Sequence, residues 1–272
     1  MKTAAIQMVS GTGRDANLAR AGALLAQAAA QGAELAVLPE YFCIMGQRDT
    51  DKLPLAEVAG EGAVQSFLAE QARTLGLWIV GGTLPLQSPE EGHVYNSSLA
   101  FSPAGECVAR YDKIHLFRFD NGNEQFDERR VITPGTQPML FDLPSRDGHR
   151  WRVGMSVCYD LRFPELYRAL AHEGADLLLV PSAFTHTTGA AHWELLLRTR
   201  AIENLAWVLA PAQGGRHENG RRTWGQSLVA SPWGTLVAQL AEGEGVVLAE
   251  IDAAQVAQAR ARLPALAHRV LA

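Results

Sequence analysis

Three residues of the 272-residue chain have the types and settings that acyl-transfer chemistry needs: Cys158, Glu40 and Lys113. Cys158 ends the apolar run Val153-Gly154-Met155-Ser156-Val157 and precedes Tyr159-Asp160-Leu161-Arg162-Phe163-Pro164. Pro164 suits the first position of a helix, so the thiol is expected at a strand-to-helix elbow near a positive helix end, where a thiolate is stabilised. Such an elbow also makes a nucleophile project from the backbone. Glu40 follows Pro39 at the end of Leu35-Ala36-Val37-Leu38, and its apolar neighbours Tyr41 and Phe42 suit a general base. Lys113 lies in Tyr111-Asp112-Lys113-Ile114-His115-Leu116-Phe117, where its ammonium can steady an oxyanion or pass a proton to departing ammonia. Taken singly, each also has an ordinary reading: a core cysteine, a solvated strand-end acid, a surface lysine.

The elements that must position these residues follow from hydrophobic pattern. Short runs rich in Val, Leu and Ile alternate with helix-length segments of 3.6 period, the pattern of helices covering a β-sheet. Strands are expected at 3–9, 35–39, 77–84, 97–102, 106–111, 152–158, 177–181, 207–212, 226–231 and 246–251. Helices are expected at 15–31, 62–75, 164–173, 192–205 and from 253 onward.

Two internal matches organise these elements. Gly32-Ala33-Glu34-Leu35-Ala36-Val37-Leu38-Pro39-Glu40 resembles Gly174-Ala175-Asp176-Leu177-Leu178-Leu179-Val180-Pro181-Ser182. Ser98-Leu99-Ala100-Phe101-Ser102-Pro103-Ala104-Gly105 resembles Ser227-Leu228-Val229-Ala230-Ser231-Pro232-Trp233-Gly234, in the same order along the chain. The economical reading is an α/β fold of two pseudo-symmetric halves, sheet packed on sheet with helices outside, as one domain over 1–272. Ser-Pro-x-Gly then turns a hairpin in each half.

Together, Leu-Pro-Glu-Tyr-Phe, Tyr-Asp-Lys-Ile-His-Leu-Phe and Val-Cys-Tyr-Asp-Leu-Arg-Phe-Pro-Glu resemble the Glu-Lys-Cys site of the nitrilase superfamily of carbon-nitrogen hydrolases, from the first strand to about residue 265. The resemblance implies a four-layer α-β-β-α sandwich, usually a homodimer, with no metal or organic cofactor. It implies Glu40 as general base, Lys113 as support of the tetrahedral intermediate and Cys158 as nucleophile, with the Tyr159 backbone N–H assisting the oxyanion. The expected reaction converts a small linear carboxamide to acid and ammonia through a cysteine thioester. A second glutamate supports the lysine in the family; its best match is Glu128, with Glu124 close by.

Cys158-Tyr159-Asp160-Leu161-Arg162-Phe163 looks like the branch of small ω-amide hydrolases. The segments 184–194 and 210–217 are similar to those of amidases acting on deaminated glutathione. The alternatives are an ω-amidase acting on α-ketoglutaramate, an acyl transferase, and a non-catalytic binding module on the same scaffold. Deaminated glutathione is anionic, so its site needs cationic or N–H partners. Arg216, Arg221 and Arg222 are candidates, with Arg216 taken as the substrate contact and Tyr41 and Phe184 as pocket wall. His186, His192 and His217 fit no metal-ligand spacing.

A net charge of −5 and a pI near 5.9 give no broad basic field for nucleic acid or an anionic membrane. The N-terminal residues run straight into a strand pattern, so a cytoplasmic setting is expected. Three cysteines without a CxxC pair argue for free thiols, with Cys43 and Cys107 read as packing residues.

Overall fold

A computed structural model describes residues 1–122 and 124–270. The first half contributes β1 (Lys2–Gln7), α1 (Arg14–Ala30), β2 (Leu35–Val37), α2 (Ala63–Leu75), β3 (Trp78–Val80), β4 (Leu84–Gln87), β5 (Val94–Phe101) and β6 (Cys107–Asp112). A small hairpin follows, β7 (Arg118–Asp120) with β8 (Gln125–Asp127). The second half contributes β9 (Met139–Pro144), β10 (Arg150–Met155), α3 (Pro164–His172), β11 (Leu177–Leu179), α4 (His186–Asn204), β12 (Trp207–Ala210), β13 (Ser227–Ala230) and β14 (Leu236–Leu240). The chain then returns through β15 (Gly245–Glu250) to α5 (Ala253–Arg262).

The two large sheets repeat one topology. In the first, β1, β2 and β3 are parallel neighbours, β5 and β6 continue antiparallel, and β15 closes the β1 edge antiparallel. In the second, β10, β11 and β12 are parallel, β13 and β14 continue antiparallel, and β9 closes the β10 edge antiparallel. The extra strand β4 pairs with β5. Both Ser-Pro-x-Gly segments form the expected turn, between β5 and β6 and between β13 and β14. In each, the glycine N–H donates to the serine carbonyl at 2.8 Å with glycine φ near +77° and +78°.

Strand alternation sorts side chains into layers. Ala5, Val37 and Val80 face the second sheet, where they share a core with Trp151, Val153 and Leu177. Their neighbours Ala4, Ile6, Ala36 and Ile79 point the other way, onto Leu24 and Leu25 of α1 and Leu68 of α2. Helices α3 and α4 cover the second sheet with Leu166, Leu170 and Leu197. The architecture is therefore the four-layer α-β-β-α sandwich. β11 has all three residues buried, as a strand covered on both faces must.

Local chemistry sets the helix ends that matter here. Pro164 occupies the first turn of α3, and the Thr185 side chain accepts the Thr188 N–H to cap α4. α4 begins six residues before the expected 192 because this cap starts it at His186. The expected strand 77–84 is interrupted: β3 ends at Val80, and β4 restarts at Leu84 further along the same edge of β5, opposite β6.

Candidate active site

The site lies at the carboxyl ends of parallel strands, where an α/β sheet leaves a crevice. Glu40 lies beyond β2, Ala183 beyond β11 and Cys158 beyond β10. Tyr41 and Ala183 occupy equivalent positions of the internal repeat, and they pack together in one small apolar cluster with Met45. The equivalent strand ends of the two halves thus meet at the site.

Cys158 opens a short 3₁₀ turn, Cys158–Arg162, with φ near +51°. A non-glycine residue in this region is uncommon, and here the surroundings enforce it. The Cys158 N–H donates to the Pro181 carbonyl at 3.0 Å, and the Val157 N–H donates to Asp160 Oδ2 at 2.9 Å. Buried Asp160 also accepts from Tyr111 Oη at 2.7 Å and from the His115 backbone and ring at 2.9 and 2.7 Å. One carboxylate therefore ties the elbow to the segment that follows Lys113.

Glu40 and Lys113 are each 1% exposed. Lys113 Nζ stands 2.8 Å from Glu40 Oε1 and 2.8 Å from Glu128 Oε2, a fork between two carboxylates. Asn96 Nδ2 donates to Glu40 Oε1 at 3.0 Å, and the Ala183 N–H donates to Glu40 Oε2 at 3.0 Å. Glu128 accepts from Tyr41 Oη and from the Phe117 N–H, both at 2.7 Å. Glu124 does not approach Lys113; it accepts from Thr187 Oγ1 at 3.0 Å. Glu128 is thus the second glutamate beside the lysine.

Burial alone would lower the Lys113 ammonium, but the Glu128 and Glu40 carboxylates outweigh it and hold the proton well above the ordinary lysine range. Burial would raise Glu128, yet the Lys113 charge and hydrogen bond hold it below the usual carboxylate range. The Cys158 thiol is pushed well up by burial, then by the adjacent Glu40 carboxylate, with Lys113 opposing. This corrects the expectation of a stabilised thiolate: the α3 helix starts six residues on, and the buried sulfur faces a carboxylate first.

Glu40, Lys113, Glu128 and Cys158 line one pocket. Cys158, Tyr41, Tyr159, Phe184 and Glu128 all border it. A carbonyl seated there has a nucleophile, a proton acceptor and a cation within one small volume, the arrangement that covalent acyl transfer needs. A sequence profile of the family described as carbon-nitrogen hydrolase matches residues 2–261. The chain belongs to the carbon-nitrogen hydrolase family.

This carbon-nitrogen hydrolase is 40% identical over 270 residues to the deaminated glutathione amidase of Synechocystis sp. (strain PCC 6803 / GT-S), covering 98% of this chain and 97% of that one. It is 38% identical to the omega-amidase of Danio rerio, covering 93% of this chain and 88% of that one. Among solved structures, the Caenorhabditis elegans NitFhit protein (C. elegans) superposes with TM-score 0.89 at 36% identity; 98% of this chain matches 64% of that longer one. A mutant amidase from Nesterenkonia sp. AN1, carrying acrylamide added at its active-site cysteine, superposes with TM-score 0.79 at 28% identity, over 97% of this chain and 98% of that one.

The pocket cations of this hydrolase differ from those expected. Arg216 is exposed and does not border the pocket; it pairs with Arg222 across a short bridge that turns both outward. Arg221, one residue before Arg222, takes the inward position by the alternation of that bridge. Arg162 also borders the pocket, with its guanidinium over the Tyr159 and Phe184 rings at 5.8 and 5.4 Å. Thr185 and Thr188 set the positive end of the 19-residue α4 on the same wall.

His186 packs edge-on to Trp224, His192 lies 3.3 Å from Arg162, and His217 is hydrogen-bonded in the loop, so the three do not converge. Cys43 is buried, whereas Cys107 is exposed and is not a packing residue. No helix among the described residues is long and apolar enough to cross a membrane.

Proposed function

We propose that this protein hydrolyses a small, anionic linear amide through a thioester on Cys158, with deaminated glutathione as the preferred substrate. The observation that carries the reading is the Lys113 fork between Glu40 and Glu128 in the pocket that Cys158 borders. The names of the relatives support the substrate, and so do two pocket arginines without a carboxylate partner among the described residues.

In the mechanism, Glu40 takes the thiol proton as sulfur attacks the amide carbonyl. The Lys113 ammonium and the Tyr159 N–H stabilise the tetrahedral oxyanion. The intermediate expels the amine, which receives the proton from Glu40, and an acyl thioester remains. Water then attacks with its proton passing to Glu40; collapse releases the acid and returns that proton to the sulfur. Glu128 holds Lys113 in place and keeps it charged. Arg162, on the turn of the nucleophile, binds the carboxylate of the acyl half.

The leaving group depends on the substrate. Glutathione joins its γ-acyl group to the amine of cysteinylglycine, so the deaminated form releases that dipeptide; ammonia is released only from a primary amide such as α-ketoglutaramate. The same reading carries one hydrolase domain over 1–272, a homodimer and a cytoplasmic setting. The test is product analysis with deaminated glutathione and α-ketoglutaramate. The expected result is cysteinylglycine and 2-oxoglutarate from the first at the higher kcat/KM, with turnover abolished in Cys158→Ala. Preference for α-ketoglutaramate would move the assignment to an ω-amidase, and turnover by Cys158→Ala would overturn the mechanism.

A further inference from the structure

Arg221 borders the pocket half-buried, with its guanidinium 4.9 Å from the centre of the Phe126 ring. Its side chain donates to the Met45 sulfur at 3.7 Å, a weak acceptor, and has no carboxylate partner among the described residues. Arginines elsewhere do find acids: Arg20 pairs with Glu244, Arg200 with Glu203 and Arg222 with Glu242. Lys52 stands nearby, its ammonium 4.9 Å over the Tyr41 ring, and it too makes no ion pair among the described residues. Burial lowers the Lys52 ammonium most; the Asp49 and Glu128 carboxylates oppose it, and the Arg221 charge adds to the lowering. Two cations thus lie around Tyr41 and Met45, neither in direct contact with a carboxylate among the described residues.

The loop that carries Arg221 is firmly mounted. His217 Nδ1 donates to the Ser10 carbonyl at 2.9 Å, and Thr223 Oγ1 donates to His217 Nε2 at 2.8 Å. Arg162 is a separate station: it shares no ring and no hydrogen-bond partner with Arg221. Lys113 is already engaged by Glu40 and Glu128, which leaves Arg162 and Arg221 as the pocket cations open to a substrate. A substrate with a single carboxylate meets one of them.

We propose that Arg221, reinforced by Lys52, is a specificity residue that receives an anionic group on the amine half of the substrate. The preferred substrates are then amides whose leaving amine itself ends in a carboxylate. The inference rests on the amidase reading above, since it divides the substrate at the scissile bond. The acyl half stays tied to Cys158 after the amine has departed, so the cation on the nucleophile's own turn serves that half. Arg221, on another segment of the wall, is left for the half that leaves.

The test compares deaminated glutathione, its C-terminal carboxamide and α-ketoglutaramate, which share one acyl half. In Arg221→Gln the ratio of kcat/KM for deaminated glutathione to that for α-ketoglutaramate falls about ten- to a hundredfold, the range of a charge-assisted hydrogen bond. Arg221→Lys recovers part of it. The loss falls on acylation, so the rate of thioester hydrolysis does not follow it. Wild type discriminates against the carboxamide-capped substrate by a similar factor, a readout that needs no variant to fold. Equal losses on both substrates, or equal use of capped and uncapped forms by wild type, would overturn the subsite and leave the amidase reading standing. Turnover of none of the three by wild type would overturn the amidase reading itself, and the subsite with it.

Discussion

Burial and the Glu40 carboxylate push the Cys158 proton affinity up while Lys113 pulls it down, so the resting sulfur is a thiol and its activation requires a base at the moment of attack. Glu40→Gln removes the charge that raises the thiol and leaves the one that lowers it. The expected outcome is a thiolate ultraviolet absorbance that appears at lower pH than in wild type, with amide turnover reduced about 10²- to 10⁴-fold. An unchanged or upward-shifted thiolate titration would contradict the assigned charges. Glu40, Lys113 and Cys158 were legible because each closes a distinctive segment. The choice between Glu124 and Glu128 was not, because both lie in one hairpin region and only the fold decides which reaches Lys113. Asn96 and Asp160 left no mark, since a polar residue inside β5 or in a turn is ordinary there. The sequence does not distinguish Arg216 from Arg221, because a loop's inward side depends on bridges such as Arg216–Arg222 that only the fold shows.

At the scale of elements, the site depends on chain segments brought unusually close. After β3, Gly82 turns with φ near +44°, and a Cβ there would lie 2.0 Å from the Pro39 carbonyl oxygen. That oxygen belongs to the residue before Glu40, and the next residue, Tyr41, donates its N–H to Thr83 Oγ1 at 2.9 Å. Gly82→Ala is therefore expected to displace the Glu40 segment, lowering Tm by several degrees and cutting kcat/KM far more than the stability loss explains. Retention of wild-type Tm and kcat/KM would show that the close approach has no role in placing Glu40. The long periodic helices and most central strands were readable from pattern. The three-residue strands β7 and β8 were not, because Arg118-Phe119-Asp120 and Gln125-Phe126-Asp127 hold one apolar residue each and are too short to show a period. The start of α4 was also hidden, since Thr187-Thr188-Gly189 are weak helix formers and the Thr185 cap decides.

At the scale of the molecule, the repeat visible in sequence accounts for where the chemistry sits. Each half places the carboxyl ends of its parallel strands at one shared pocket. Glu40 comes from the end of β2, and the N–H that holds it comes from Ala183 beyond the equivalent strand β11. Neither half alone completes the pocket, for Cys158 and Ala183 come from one and Glu40, Lys113 and Glu128 from segments before β9. The role of β15 was beyond sequence reading: its pattern marks a strand, but its pairing with β1, 246 residues away at Thr3 and Ala249, is a property of the whole fold. The central claim is that the acyl group passes through Cys158, and mass spectrometry tests it most directly. Wild-type protein is quenched during its first turnover of deaminated glutathione, digested and mapped beside Cys158→Ala. The account predicts an acyl adduct of the oxoglutaryl mass on the peptide containing Cys158, and no adduct or turnover in the variant. An adduct on another residue, or undiminished turnover by Cys158→Ala, would contradict it.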